Sequence, residues 1–384
     1  MVGFQRCLNA LGGTLPLARR WLAGCILGWG LCTAATASTV AAPAPAAPLK
    51  LRIVGGLAGV NQFTQLEAPF WTRELARLSG GRYSADIVAF DRAGVPGNDM
   101  LRLLQLGVVP FGTVLMSSLA GQYPLYTAAD LPGLNPDMAA LRSTLAAVRP
   151  QLETALRNEH GVEPLAIYVY PAQTLFCRQR LTGLADLQGR TVRVSSAAQG
   201  DFMAALNAQP KTLPFAQLRQ GLQSGALDCA VTGTMSGNTI GLHQQASYLH
   251  PMAITWGLAI FAANRSAWQA LPEDLRALLR AELPKLEAAV WAASERETRQ
   301  GVACNTGAKT CTDGERGSMT LVAPSRQDDA LRQQVLLAHV LPRWFERCGA
   351  RCAELWQRSI APARGIESPV KAPAPRPAPL SGKP

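Results

Sequence analysis

The chain has 384 residues, 48% of them hydrophobic and 16% charged, with a formal net charge of +11. That length can hold two domains and that composition allows a large core. The basic residues are dispersed, with no Lys/Arg block and no interleaved aromatics, which argues against a nucleic-acid partner; a positive field favours an anionic solute.

Residues 1–37 carry Arg6, Arg19 and Arg20 and no acid, then an apolar run from Trp21 that ends Ala35-Thr36-Ala37. This is the layout of a secretory signal peptide, cleaved on export to the periplasm. The run is shorter than the roughly 20 residues of a membrane span, although an uncleaved anchor is the alternative. Leu22-Ala23-Gly24-Cys25 resembles a lipoprotein box but lies too close to Arg20 to leave an apolar region before it, so a lipid anchor on Cys25 is the lesser reading. Arg19-Arg20 also allows twin-arginine export. Without the leader, 34 basic residues face 26 acidic ones, a balance of +8. Residues 38–48 are Ala/Pro-rich and read as a linker; the stretch 362–384, Pro-rich from Lys371, reads as a disordered tail.

Periodicity then predicts a first lobe over 49–165. A strand at 51–55 leads into the loop 56–59. Asn61 caps a helix over 62–78 that carries Phe63, Leu66, Phe70 and Leu75, and Gly80-Gly81 ends it. A strand at 83–89, a helix at 99–106 and a strand near 108–116 follow. A helix over 138–160 is expected to break at Pro150. A strand over 164–170 crosses to a second lobe over 166–255. There Leu184–Leu187 forms a short turn stopped by Gly189, and 191–195 alternates as a strand. Val192 and Val194 point inward; Thr191, Arg193 and Ser195 share the other face. Helices are expected over 196–206 and 215–224, a strand over 226–231, and a loop from Gly233. One return strand over 252–264 places Trp256 near the hinge. It opens the region 256–303, where a long helix bends at Pro284; the C-terminal segment 304–361 contains a further helix over 328–344.

Leu104-Gln105-Leu106-Gly107 and Leu222-Gln223-Ser224-Gly225 repeat one helix-to-strand grammar. That suggests two similar lobes with a cleft between them, where small molecules bind, at the carboxyl ends of the strands. The first lobe would offer Asn61, Gln62, Ser117 and Ser118, and the crossing would offer Tyr170 and Gln173. Trp256 would come from the hinge; Arg193, Thr232, Thr234 and Asn238 would come from the second lobe. Tyr170, Met235 and Trp256 are equally readable as core.

Six of the nine cysteines lie beyond the leader. Cys304 and Cys311 flank a polar loop and read as a disulfide clip. Cys348 and Cys352 are expected to pair if Gly349 breaks the helix, a four-Cys zinc site being the alternative. Cys177 and Cys229 read as single buried thiols. The four histidines, His160, His243, His250 and His339, fall in no nucleophile or metal spacing, and no cofactor motif is present. An exported hydrolase using Cys229 with His243 is the weak enzymatic alternative.

Asp186-Leu-Gln-Gly-Arg-Thr-Val-Arg193-Val194, followed by a helix ending Leu222-Gln-Ser-Gly-Ala-Leu-Asp228, resembles the solute-binding subunit of tripartite ATP-independent periplasmic (TRAP) transporters, dicarboxylate-binding type. The resemblance covers about 49–350. It implies an α/β, two-lobed, type II-like periplasmic-binding fold with mixed sheets, hinge strands and a long helix spanning the lobes. It also implies a non-enzymatic, monomeric protein that closes over a small organic anion for ion-coupled membrane subunits. A sensory protein serving a receptor is the alternative role. Arg193 stands where the family's arginine binds the ligand carboxylate, by the planar fork that suits that group. After the Asp the family commonly has Gly-Gln-Glu-Asn-Pro; here Cys229-Ala-Val-Thr232-Gly-Thr234-Met-Ser236-Gly-Asn238 supplies hydroxyls and one amide. A monocarboxylate with an apolar body then becomes an expected ligand.

Overall fold

The computed structural model describes residues 49–366. The expected leader, the 38–48 linker, Cys25 and the Pro-rich stretch beyond 366 lie outside the described residues. Eleven strands form among the described ones: β1 (Leu49–Gly55), β2 (Tyr83–Ala89), β3 (Phe111–Leu115), β4 (Val162–Val169), β5 (Gln173–Cys177), β6 (Thr191–Val194), β7 (Gln209–Thr212), β8 (Cys229–Gly233), β9 (Tyr248–Thr255), β10 (Leu258–Asn264) and β11 (Thr320–Leu321). They make two mixed sheets, ordered β2-β1-β3-β10-β4 and β11-β9-β5-β8-β6-β7.

The two sheets share a construction. β1 lies parallel between β2 and β3, as β6 lies parallel between β7 and β8. The helices Met100–Gln105 and Leu218–Gln223 each feed the third strand of such a trio. Both stop at a left-handed glycine, Gly107 (φ 73°) and Gly225 (φ 78°), a conformation that costs another residue about 1–2 kcal/mol. The repeated Leu-Gln-x-Gly is therefore a helix stop that reverses the chain into β3 and into β8. The strand expected at 226–231 begins later, at Cys229, because Asp228 first turns to accept from Thr191 N at 2.8 Å. After it the expected loop is instead a helix, Thr234–Thr239.

Three segments join the sheets. Residues 170–172 carry β4 into β5. The single return strand expected at 252–264 is two, β9 and β10, parted at Trp256 and Gly257 (φ 76°). Splitting frees two backbone N–H groups, and the Asp130 carboxylate takes both, Trp256 N at 3.0 Å and Gly257 N at 2.7 Å. The third join is the helix Glu273–Asn305. Its Leu275, Leu279, Leu283 and Val290 pack against Trp71, Tyr168 and Phe261 of the first sheet's core. Further on, Trp291 Nε1 donates to Ile167 O (2.8 Å) and Ser294 Oγ to Val169 O (2.6 Å) at the end of β4. Its last turns meet the helix Thr234–Thr239 so closely that a Cβ on Gly301 would overlap the backbone of Thr234 and Met235. Pro150 and Pro284 do not interrupt their helices, Met138–His160 and Glu273–Asn305. Buried residues on both sides of each, such as Val148 and Leu152, or Leu283 and Leu286, hold the run together against the lost hydrogen bond.

The helix expected at 62–78 widens into π turns at Gln62–Glu67 and Phe70–Glu74, with Phe70 and Trp71 buried. The C-terminal segment packs across the back of both sheets. Asp328, in a capping box with Ser325, accepts from Leu184 N at 2.7 Å, and Trp344 Nε1 donates to Pro124 O at 2.7 Å. Helix continues to Ala361–Arg364, beyond the expected start of the tail.

All six described cysteines are paired. Cys304–Cys311 and Cys348–Cys352 form as expected. Cys177 and Cys229 correct the expectation of single thiols: they are disulfide-bonded. They stand directly opposite in the antiparallel β5–β8 ladder, Cα atoms 4.1 Å apart, a pairing that sequence spacing does not display. With Cys229 oxidised, no thiol remains for a Cys229–His243 hydrolase.

One buried acid ties β1 to β3. Glu67 accepts from Gly56 N at 2.8 Å and from Thr113 Oγ1. Burial pushes its carboxyl up to about 7, the two hydrogen bonds opposing.

The Cys177–Cys229 bridge closes a 52-residue separation. Replacing both cysteines by alanine is expected to cost about 2–4 kcal/mol in urea unfolding, with neither residue labelled by a thiol reagent when the wild-type protein is unfolded in urea without reductant. Labelling of either would refute the pairing. Glu67 binds its proton more tightly folded than unfolded. Its stabilising contribution is therefore complete below about pH 4.5 and fades as pH rises through about 7, a change of ~3 kcal/mol. Glu67→Gln should flatten the stability profile between pH 5 and 7.5; an unchanged slope would exclude this role.

Candidate ligand-binding cleft

The carboxyl ends of β6 and β8 meet the end of β4 at a cavity of about 400 Å³ between the sheets. Alternation along β6 buries Val192 and Val194 completely on one side and sends Arg193 to the other. Arg193 is itself only 3% exposed and lines the cavity. Its Nε donates to Leu213 O (2.9 Å) and its Nη1 to Val231 O (2.8 Å). No carboxylate among the described residues pairs with it; burial alone lowers its pKa, to about 10, so it stays cationic at neutral pH. The two carbonyls aim the fork and leave its other donors without a protein acceptor among the described residues. A charge held so far from water without a counter-charge costs several kcal/mol, which an incoming anion offsets.

Around Arg193 the second sheet contributes Gln173, Thr232, Ser236 and Thr255. Gln199 braces the wall: its Oε1 accepts from Ser195 N (2.8 Å) and Oγ (3.0 Å), and its Nε2 donates to Thr255 Oγ1 (2.8 Å). Ser196 caps the helix Ala197–Ala205 by accepting from Gln199 N. The opposite wall brings Leu57, Met116, Ser117, Ser118, Tyr126 and Asp130. Tyr170 lines the cavity at the crossing; burial, then Glu67, push its phenol far above its usual value and keep it neutral. Burial pushes Asp130 up to about 7 against the hinge N–H groups that lower it.

Of the residues singled out from sequence, Arg193, Tyr170, Gln173, Thr232, Ser117, Ser118 and Ser236 line this cavity. The other six do not. Thr234 Oγ1 donates to Glu297 O and Thr298 O on the spanning helix. Asn238 clamps the 306–317 loop, donating to Glu315 O (2.8 Å) and accepting from Glu315 N (2.9 Å). Trp256 Nε1 donates to Asn135 O. Gln62 Nε2 donates to Glu297 Oε2 (2.8 Å), and Asn61 bonds the same carboxylate. Met235 packs on the Cys304–Cys311 bridge. Sequence reading passed over Ser196, Gln199, Thr255 and Asp130. The first two were accessible to it, since a helix beginning just past a strand's carboxyl end faces such a cleft.

A family model described as bacterial extracellular solute-binding protein, family 7, matches residues 54–307. A solute-binding protein of Roseobacter denitrificans is 24% identical over 245 residues, 63% of this chain and 74% of that protein. Among solved structures, an extracytoplasmic solute receptor of Bordetella pertussis binding pyroglutamic acid superposes with a TM-score of 0.72 at 21% identity, covering 80% of this chain and 98% of that one. A TRAP periplasmic solute-binding protein of Desulfovibrio salexigens with bound orotic acid gives 0.70 at 18%, covering 80% and 96%. No described helix is long and apolar enough to cross a membrane. The two-sheet architecture with a cleft at the strand ends and the family match over most of the chain agree: this chain belongs to family 7 of the bacterial extracellular solute-binding proteins.

Proposed function

We propose that the protein captures a small organic carboxylate in the cleft, closes over it, and delivers it unchanged to the membrane subunits of a TRAP-type transporter. The single observation that carries this is the buried, carboxylate-free guanidinium of Arg193 at the cavity wall. A bidentate carboxylate is the chemical complement of that fork. Family membership and the carboxylic acids held by the solved neighbours support the same reading. In it the protein works outside the cytoplasm as a periplasmic monomer, its leader removed, and closure is driven by the ligand's higher affinity for the closed state.

Arg193→Lys keeps the charge but loses the fork. It is expected to weaken binding of the best ligand in a carboxylic-acid panel by about 100-fold in calorimetry, near the cost of a lost charged hydrogen bond. Affinity within a factor of three of wild type would exclude Arg193 as the anchor. No heat from any acid with wild-type protein would exclude carboxylate capture.

A further inference from the structure

The charges of the cleft are divided between its walls. Arg193 is the cation among the cavity-lining residues, and it stands on the second-sheet wall. The charged lining residues of the opposite wall are Asp130 and Asp91, both acids. Asp91 Oδ1 accepts from Ala58 N at 3.1 Å, which leaves its other oxygen uncommitted. Asp130 accepts two hinge N–H groups and bonds the Asn135 side chain, still fewer partners than a carboxylate's roughly four lone-pair sites. Behind this wall, Glu67 lies beside the Tyr170 hydroxyl: a Cβ placed on Gly56 would touch both, at 3.1 and 3.0 Å.

A ligand that bridges such walls is bipolar. Its carboxylate meets Arg193. A second carboxylate at the far end would face Asp91, and Asp130 wherever pH exceeds the value of about 7 to which burial pushes it, with no cation among the lining residues to receive it, and like charges brought together repel. A nitrogen-bound hydrogen reverses the sign, since an N–H donor or ammonium is attracted by both acids. Building on the carboxylate-capture reading, we propose that the natural ligand is a small monocarboxylate bearing an N–H donor on the side away from its carboxylate, read by Asp130 and Asp91, and that dicarboxylates are rejected. The two walls are thereby joined through one ligand: anion to the second sheet, donor to the first. Closure rewards a molecule that carries both groups and disfavours one that carries only acids.

The test is calorimetry on the purified protein at pH 8.5, above the value of about 7 to which burial pushes Asp130, with four probes of similar size. L-Proline offers an ammonium, 5-oxoproline an amide N–H, tetrahydrofuran-2-carboxylate the same ring with no N–H, and succinate a second carboxylate. At least one nitrogen probe should bind tenfold or more tighter than both tetrahydrofuran-2-carboxylate and succinate; which of the two does so separates ammonium from amide recognition. Asp91→Asn and Asp130→Asn should each narrow that preference by at least threefold, read within each variant as the ratio of the nitrogen probe's affinity to that of tetrahydrofuran-2-carboxylate. Should Asp130→Asn unfold because it serves the hinge, Asp91→Asn still decides. Equal binding of tetrahydrofuran-2-carboxylate, tighter binding of succinate, or a preference unmoved by either variant overturns the inference and leaves carboxylate capture standing. Silence from all four probes, with binding elsewhere in the wider acid panel, also overturns this inference alone; silence across both overturns the two together.

Discussion

A guanidinium withdrawn from water with no carboxylate beside it is the constraint on which the second sheet depends. Arg193 cannot be left to solvent, because the strands on either side of β6 and the segment after β7 enclose it; it is 3% exposed. Two carbonyls, Leu213 O and Val231 O, take part of its donor capacity and fix its plane. Carbonyl dipoles do not neutralise a full charge, so Arg193 is a cation with no counter-charge beside it among the described residues. The cost is tolerated because the surrounding sheet is over-determined by apolar packing and by the Cys177–Cys229 bridge across β5 and β8. Under the proposed capture such a site is pre-organised: the side chain would not have to be ordered when an anion arrives.

The connections between the sheets limit what can move. Beta-strand crossings alone would leave a loose joint. Here the break between β9 and β10 is held by Asp130, which also lines the cavity. One carboxylate thus touches both the hinge backbone and the ligand space, and a charge placed in the cleft acts on the joint directly. The spanning helix gives the joint a stiff back. It is bonded to the end of β4 through Trp291 and Ser294, and it carries the helix Thr234–Thr239 against Gly301. The segment that follows it is pinned by Cys304–Cys311 and by Asn238. For the proposed closure, these ties leave the crossings as the segments that would move.

The parts of this arrangement that depend on local chain grammar were legible in the sequence. Alternation at 191–195 assigned Arg193 its face, and the two Leu-Gln-x-Gly stops marked equivalent reversals before β3 and β8. What escaped depends on register and on long-range backbone accounting. Cys177 and Cys229 are 52 residues apart, and nothing local says that their strands are antiparallel neighbours in that register. Asp130 sits in a short helical turn with no motif around it; its task appears only when β9 and β10 are seen to part and leave two N–H groups unpaired. The prolines misled in the other direction, since Pro150 and Pro284 each lie in a helix whose apolar stripe outweighs one missing hydrogen bond.

The stretch after β8, where the chain departs most from the family it resembles, divides into two jobs. Thr234 and Asn238 turn outward, to the spanning helix and to the 306–317 loop. Thr232, the residue before Gly233, and Ser236, in the first turn of the helix, face the cavity instead. A helix places residues about 100° apart, so a segment anchored by Thr234 on one side presents Ser236 on nearly the opposite one. The departure therefore alters the ligand surface at two hydroxyls, not along its whole length, and the rest of the change is absorbed by packing against Gly301. Hydroxyls both donate and accept, so these two positions set little charge preference of their own. The sign of the ligand's two ends is left to Arg193 on one wall and to the acids on the other.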